Sequence, residues 1–392
     1  MISLQEAQEI IISKAKNFGS ESVALDNADG RVLDEDILSD RDYPPFNRSA
    51  MDGYAIRYED WQNNIRKFEI AETIFAGSKA STDLSAGNCY KIMTGSAVPQ
   101  QANAVIRRED STEDSGFVTF QLNEIKQYQN IAKQGEDLRK DNIAIRKNTF
   151  CSAPVISTLA TVGKMTVPVK RLPKVAFFTT GNEVKPANSA VNTIEIRNSN
   201  EWLVKTLLKK WKIIPFLYQH INDDKSELQT QIRKGLEADI LILSGGVSAG
   251  DADYVPEILQ ELGVKKLFHK VEIRPGKPFW CGQLPNGGMV FALPGNPFST
   301  LVTFKLFIET YLEAILSHNP SKKLRLNFNG NRIRKSPFDE FFPVKITDTQ
   351  LELIDINGSG DIRLGLYADG IAHHPKENPE LSPGISIDCI IL

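Results

Sequence analysis

Ser244-Gly245-Gly246-Val247-Ser248-Ala249-Gly250-Asp251 comes directly after Asp239 to Leu243, a short run rich in Ile and Leu that reads as a buried strand. Two other stretches repeat the arrangement: Thr179-Thr180-Gly181-Asn182-Glu183 after Val175 to Phe178, and Leu293-Pro294-Gly295-Asn296-Pro297 after an apolar run that begins at Met289. Loops leaving the carboxyl ends of strands in an open parallel sheet line one crevice, so the three are expected to converge on a single ligand. Ile213 to Leu217 reads as a further strand. Helical patterns fill the intervals at Glu201 to Lys210, Lys225 to Leu236, Tyr254 to Leu262 and Phe298 to Leu316, with Asp224 and Glu227 placed as a capping box. Strand and helix in alternation predict one doubly wound α/β domain over residues 173–317, with short connections that call for parallel strands.

Outward from this stretch the texture changes. Ser3 with Glu6 makes a capping box, and Leu4, Ala7, Ile11 and Phe18 succeed it at helical spacing, so the chain opens on an amphipathic packing helix. From Asp52 to about Gln121, short runs such as Lys67-Phe68-Glu69-Ile70 and Phe117-Val118-Thr119-Phe120 are broken by Gly77, Gly87, Gly95 and Gly116, the pattern of a small β-rich domain. A helix over Ser152 to Val162 precedes Val167-Pro168-Val169 and Pro173, where punctuation marks a boundary. Beyond Pro320, Leu324 to Phe328, Phe341 to Ile346, Leu351 to Ile356 and Ile385 to Ile391 are strand-like. The expected division is an N-terminal helical linking domain of 1–43 and 141–172, a β-rich inserted domain at 44–140, the α/β domain at 173–317, and a C-terminal β-barrel-like domain at 318–392.

A chain of 392 residues is too long for one compact core. Lys and Arg total 46 against 49 Asp and Glu, a net charge of -3 that gives no bulk reason to expect nucleic acid or an anionic membrane as partner. Cys89, Cys151, Cys281 and Cys389 are far apart with no Cys-x-x-Cys pair, which points to free thiols in a reducing compartment. No apolar run reaches the length of a membrane span, and Glu6 and Glu9 interrupt any signal-like start, so a cytoplasmic protein is expected. Five histidines, with His373-His374 read as a surface turn, argue against imidazole acid–base chemistry.

What remains is anion and cation handling. In a turn entering a helix, Gly245, Gly246, Ser248 and Gly250 let backbone N–H groups approach a phosphate, while the lack of a P-loop Lys and of dinucleotide-fingerprint spacing excludes those two families. Glu183, Asp223, Asp224, Asp251 and Asp253 sit beside the loops and offer oxygen ligands suited to Mg²⁺, although Asp224 and Asp251 fit helix N-caps equally well. Arg274-Pro275-Gly276-Lys277-Pro278 sets two cations on a rigid turn that can hold an oxyanion. The stretch from Pro44 to Ala55, with Asp52 beside Gly53, is similarly constrained, and its own residues leave its role open.

Taken together, Pro-Pro-Phe-x-x-Ser-Ala-Met-Asp-Gly-Tyr-Ala at 44–55, Ile-Met-Thr-Gly with Pro99 at 92–99, Gly-Glu-Asp at 135–137, Thr-Gly-Asn-Glu at 180–183, Ser-Asn at 199–200, Gly-Gly-Val-Ser-Ala-Gly-Asp-Ala-Asp-Tyr at 245–254, Pro-Gly-Lys-Pro at 275–278 and Leu-Pro-Gly-Asn-Pro at 293–297 resemble the MoeA family of molybdopterin molybdenumtransferases, which includes the enzymatic end of gephyrin. Gly358-Ser359-Gly360 with Ala368-Asp369-Gly370 resembles the family's terminal domain. The resemblance implies a central domain of the MoaB and MoeA kind in elongated homodimers. It further implies an enzyme that takes adenylylated molybdopterin and molybdate, cleaves the phosphoanhydride with Mg²⁺, and yields molybdenum cofactor and AMP. Carried over by motif, Asp52, Thr94, Glu183, Asp253, Arg274 and Lys277 belong to the catalytic site. Glu183, Asp253 and one of Asp223 and Asp224 fall to the metal, and Thr180, Gly181, Gly245, Gly246, Ser248, Gly250, Pro294, Gly295 and Asn296 to the bound substrate. The loop around Asp52 and Thr94 is implied to face the α/β domain of the other subunit.

The residues supply the physics for this: phosphoanhydride cleavage needs charge neutralised and a nucleophile placed more than it needs a reactive side chain. Molybdate, a tetrahedral dianion, suits Arg274 and Lys277, while the pterin's soft dithiolene sulfurs replace its oxygens. Departures from the family are Arg274, where some members carry Lys and a planar fork replaces a point donor, Asn182 in place of a frequent Asp, and Asp361-Ile362-Arg363, where many relatives have small hydroxyl residues. Two alternatives stand beside this reading: molybdopterin adenylyltransferase, which resembles only 173–317 and is also a possible partner handing over substrate, and a gephyrin-like dimeric scaffold that binds a peptide.

Overall fold

The computed structural model describes residues 1–246, 254–317, 323–363 and 366–392, and within them three six-stranded sheets organise the chain. The central sheet runs Leu217–Ile221, Val175–Thr180, Ile240–Ser244, Met289–Leu293, Trp280–Gln283, Lys265–His269. Its first four strands are parallel, with Phe177 beside Ile242 and Ile242 beside Phe291. Strand order reverses between Val175–Thr180 and Ile240–Ser244, which is where an open sheet leaves a crevice for a ligand.

Three of these strands are buried at every position, and their side chains divide by strict alternation. Val175, Phe177, Ile240, Ile242 and Phe291 share one core with the helical stretch from Phe298 to Leu316, whereas Ala176, Phe178, Leu241, Leu243 and Val290 share another with Leu228, Ile232, Ile258 and Leu259. Two covered faces are the reason these runs read as continuously apolar, and the domain is doubly wound as expected. Ser3 and Glu6 form the reciprocal capping box ahead of Leu4–Ser13, and Ala7 and Ile11 pack in the first of these cores. The opening helix, grouped by sequence with the linking segment, is therefore seated on the α/β unit.

The structure departs from the sequence expectations in this sheet at two places. Trp280–Gln283 and Lys265–His269 form antiparallel pairs, Trp280–Gln283 against Met289–Leu293 and Lys265–His269 against Trp280–Gln283, so the sheet is mixed. The turn through Gly287, at φ +81°, is short enough for a hairpin where a parallel pair would need a crossover. The outer strand begins at Leu217 and not at Ile213, because Ile213 is buried beneath the end of the helix Ser199–Lys210 and Pro215 has no N–H to give a ladder. Its half-polar sequence, Leu217-Tyr218-Gln219-His220-Ile221, suits a sheet edge and hides it from a search for apolar runs.

Ser20–Ala24 pairs with Thr166–Lys170, and Ile37–Leu38 with Ile143–Ile145, so the chain leaves this small unit and returns to it. Between the two passages lies the second sheet, Ala104–Arg107, Gly53–Ile56, Asn88–Ile92, Lys67–Ile74, Phe117–Phe120, Ser111–Asp114. At the other end of the chain, Asp339–Thr347, Gln350–Leu353, Leu324–Phe328, Ser386–Ile391 and Gly370–His374 close into a five-stranded barrel when Gly370–His374 pairs back onto Asp339–Thr347. Ile273–Arg274, from the α/β unit, adds to this barrel in parallel with Asp339–Glu340.

The pair His373-His374, read from sequence as a surface turn, lies in that closing strand. His374 is fully buried and meets Arg332 and the Asn378 carbonyl, while His373 stacks on Phe341 and bonds Asp339 at 2.9 Å. Cross-strand partners decide the matter here, and they are absent from the local sequence. Glu340, on the barrel strand that receives Ile273–Arg274, accepts from Arg332 at 2.7 Å, the Ser336 hydroxyl at 2.8 Å and the Lys335 N–H at 2.9 Å. Burial pushes its carboxyl up, but Ser336, Arg332 and the Lys335 N–H together hold it below the ordinary 4.5.

Two outcomes are expected. Gly235 ends the helix Lys225–Gly235 against the sheet, and a Cβ there would come within 2.8 Å of the Phe178 ring and 2.9 Å of Leu241. Gly235→Ala gains about 1 kcal/mol of helix propensity and meets an overpacking cost of about 1–3 kcal/mol, so denaturant unfolding is expected to show a net loss. Since Glu340 is depressed in the fold, its contribution to stability is complete above a pH of about 4.5 and is lost as pH falls through its lower folded value. Melting temperature measured from pH 6 downward is therefore expected to fall more steeply for this protein than for Glu340→Gln, which starts less stable.

Candidate active site

A cavity of about 1450 Å³ opens at the carboxyl edge of the central sheet and extends to the barrel. The three glycine loops read from sequence meet there: Thr179, Thr180, Gly181 and Glu183 from the first, Ser244, Gly245 and Gly246 from the second, Pro294, Gly295 and Asn296 from the third. Asp223, Arg274 and Lys277 line the same space. Ser248, Gly250 and Asp253, with Asp251, lie outside the described residues.

Glycine is dictated by contact at the second loop. Gly245 has φ +101° and Gly246 φ +67°, and a Cβ on Gly245 would fall 2.8 Å from Thr180 Oγ1 and 2.9 Å from the Thr180 carbonyl. The turn therefore presses directly on the end of the neighbouring strand. The third loop is tied to the second by Asn200, whose Nδ2 donates to Ser244 Oγ at 3.0 Å and to the Gly295 carbonyl at 2.7 Å. Among the described residues, Thr180 Oγ1 and Asn200 Oδ1 are buried there without a hydrogen-bond partner.

At the first loop, the Asn182 N–H donates to Asp223 Oδ2 at 3.2 Å and the Asp223 N–H returns a bond to Asn182 Oδ1 at 3.0 Å. A Cβ on Gly181 would lie 3.1 Å from both Glu183 carboxylate oxygens, so that side chain is folded back over the glycine. Asp224 points elsewhere: it accepts the Glu227 N–H at 2.8 Å as the N-cap of Lys225–Gly235 and does not line the cavity. Of the two adjacent aspartates, Asp223 is the one the fold turns towards the cavity.

The opposite wall is basic. Arg274 Nη1 donates to the Lys335 carbonyl at 3.1 Å, and Lys277 Nζ stands 5.2 Å from the Phe338 ring centre, so both cations of the Pro-Gly turn lean on the barrel. Arg332, Lys335, Ser336 and Ser359 extend this wall. Ser359 Oγ accepts from Asn296 Nδ2 at 3.0 Å, and its carbonyl accepts from the Phe298 N–H at 3.3 Å. Arg332 and Lys335 were not singled out from sequence; the basic run Arg332-Ile333-Arg334-Lys335 was the available signal. Among the cavity's carboxylates, Glu340 is committed to Arg332 and Glu195 lies 3.6 Å from Lys185. The remaining pair, Glu183 and Asp223, stands at the first glycine loop, where Arg197 also lines the space, while Arg274 and Lys277 stand against the barrel.

Asp52 and Thr94 do not line this cavity within one chain. They lie together in the loops at the ends of Gly53–Ile56 and Asn88–Ile92 of the second sheet, where the Thr94 N–H and hydroxyl both donate to Asp52 Oδ1 at 2.7 Å. Those two bonds, with the Arg108 charge, hold the Asp52 carboxyl below its usual range. Among the described residues no three His, Cys, Asp or Glu side chains gather at metal-binding spacing, all four cysteines are buried, and no helix is long and apolar enough to cross a membrane.

Residues 2–163 match the family model described as the MoeA N-terminal region (domain I and II), and residues 176–314 match the one described as a probable molybdopterin binding domain. The chain is 31% identical to a molybdopterin molybdenumtransferase of Staphylococcus epidermidis, across 100% of its own length and 95% of the relative's. It is 29% identical to that of Synechocystis, across 98% of each. Among solved structures, the molybdopterin biosynthesis MoeA protein of Pyrococcus horikoshii superposes along the full length of both chains, with a TM-score of 0.87 at 28% identity. The cavity, its three loops and a similarity that runs from end to end agree: the chain belongs to the MoeA family.

Proposed function

We propose that this chain is a molybdopterin molybdenumtransferase, taking molybdate and adenylylated molybdopterin, releasing AMP with the help of Mg²⁺, and yielding molybdenum cofactor. The observation that carries the reading is the polarised cavity, with Glu183 and Asp223 at one end, Arg274 and Lys277 at the other, and side-chain-free glycine turns between them. Arg274 and Lys277 hold the oxygens of a tetrahedral dianion, the guanidinium as a planar fork and the ammonium as a compact charge. The Gly245-Gly246 turn lets the backbone reach a phosphate. Thr180 and Asn200 offer it their orphan polar atoms.

Glu183 and Asp223 fit magnesium as a donor set, being hard oxygens and few in number, which suits an ion that shares its shell with phosphate and water. Bound there, magnesium would neutralise pyrophosphate charge and polarise a water. Asp52, its carboxylate bonded by Thr94, belongs in our reading to this cavity in a second copy of the chain, since it does not line the one in its own. The relatives' full-length similarity favours this function over a single-domain adenylyltransferase.

Purified protein given adenylylated molybdopterin, molybdate and Mg²⁺ is expected to release AMP and to activate a molybdenum-free apoenzyme. No AMP release, together with adenylylation of free molybdopterin from ATP, would overturn the assignment. Lys277→Ala and Glu183→Ala are each expected to slow turnover by at least about 100-fold, the scale of losing one preorganised charge at a phosphoryl centre, with melting unchanged because both side chains are exposed. In mixed dimers carrying Asp52→Ala on one subunit and Glu183→Ala on the other, one of the two cavities keeps both groups. Recovery of about half the sites is expected from that geometry, and no recovery at all would show that the cavities do not cross subunits.

A further inference from the structure

We propose that His220 is a positioning residue that holds the Gly181 carbonyl, and with it the Glu183 end of the cavity, independently of Asp223. It rests on the function proposed above and adds a residue that no motif singled out. His220 is the penultimate residue of Leu217–Ile221 and lies beside Thr179 in the parallel register. Its Nε2 is 3.1 Å from the Gly181 carbonyl and its Nδ1 is 3.0 Å from Thr179 Oγ1. Thr179 Oγ1 in turn receives a bond from Asn198 Nδ2 at 2.8 Å, and Asn198 Oδ1 accepts the Glu201 N–H at 3.0 Å as the N-cap of Ser199–Lys210.

The carbonyl at one end sets the direction at the imidazole, and the Thr179 hydroxyl lies between His220 Nδ1 at 3.0 Å and the Tyr218 hydroxyl at 3.4 Å. A carbonyl only accepts, so His220 carries its hydrogen on Nε2 and donates it to Gly181. In the arrangement where Nδ1 accepts, the Thr179 hydroxyl donates to it, and that oxygen accepts from the side-chain NH₂ of Asn198, which only donates. An oriented line of hydrogen bonds thus runs from a helix N-terminus to the first loop. Gly181, at φ +136°, is a residue with wide backbone freedom, and Glu183 folds directly over it, so where the Gly181 peptide is held decides where that carboxylate stands.

The loop has further restraints: the Val184 N–H also donates to the Gly181 carbonyl at 3.2 Å, Lys185 Nζ donates to the Asn182 carbonyl at 3.0 Å, the Ile196 N–H donates to the Glu183 carbonyl at 2.8 Å, and Asn182 and Asp223 bond reciprocally. Asp223 is also one of the two carboxylates assigned to magnesium, and an oxygen drawn to a cation is a weaker acceptor for the Asn182 N–H. Were Asp223 drawn to magnesium, the His220 bond would still hold the Gly181 carbonyl. Its imidazole is used for its two-ended geometry, with no proton transferred.

The test uses His220→Leu, which removes both bonds at similar volume, and His220→Gln, whose amide can reach the Gly181 carbonyl. In the leucine variant, amide exchange at residues 181–183 is expected to accelerate at least about tenfold, and the Mg²⁺ concentration for half-maximal AMP release to rise by about tenfold, the usual scale for losing a group that orients a metal ligand. Turnover at saturating Mg²⁺ is expected to recover, and the glutamine variant to restore both readouts. Unchanged exchange and Mg²⁺ dependence in His220→Leu, or equal loss in both variants, would overturn the proposal. Should His220→Leu fail to fold, Thr179→Val breaks the same line one bond earlier and is judged by the same readouts. If the unmodified protein releases no AMP, the proposed function fails while the exchange measurement still decides the role of His220.

Discussion

Three adjacent strands buried on both faces leave the chain only their ends for polar chemistry. Val175–Thr180, Ile240–Ser244 and Met289–Leu293 have no exposed position between them, so the polar groups they bring to the site come from their last residues, Thr179, Thr180 and Ser244, and from the loops that leave their carboxyl ends. Parallel register brings those three exits to one edge, and the reversal of strand order between the first two opens the space they surround. Glycine at 245 is the local counterpart of this constraint. The turn must pass against Thr180, and any side chain would push the two strand ends apart.

The basic end of the cavity depends on a different element. Arg274 and Lys277 leave the α/β unit on a two-residue strand that is paired into the barrel beside Asp339 and Glu340. Glu340 is held by Arg332, Ser336 and Lys335, and Arg274 returns a bond to the Lys335 carbonyl. Lys376 reaches Glu272 at 2.9 Å, two residues ahead of Arg274. The cations are thus placed by the barrel as much as by the sheet.

The doubly wound domain was legible because burial on two faces writes itself as unbroken apolar runs, and glycine turns mark their exits. Glu183, Arg274 and Lys277 were legible for a related reason, since each stands within or beside a Gly-bearing turn. The edge strand Leu217–Ile221 was misplaced since most of its side chains are only half-buried, and the antiparallel Trp280–Gln283 was not anticipated, since its pairing depends on a hairpin and not on composition. His220 and Lys335 could not be read locally at all, because their partners Gly181 and Arg274 stand 39 and 61 residues away in sequence. Arg332 finds Glu340 nearby, but only the docking of the barrel brings that pair to the cavity. Asp223 and Asp224 were indistinguishable as neighbours in sequence and are separated by one cap, since Asp224 is spent on the helix start.

The strand shared between the α/β unit and the barrel has a consequence for how such chains can be recombined. Grafting the terminal barrel of one relative onto the body of another at the obvious joint near residue 318 would split Ile273–Arg274 from the edge it was shaped to meet. A workable chimera would have to transfer residues 272–278 along with the barrel, as a patch lifted out of the middle of the neighbouring domain. The inheritable unit is therefore discontinuous, and its seam runs through the Pro-Gly turn that carries Arg274 and Lys277.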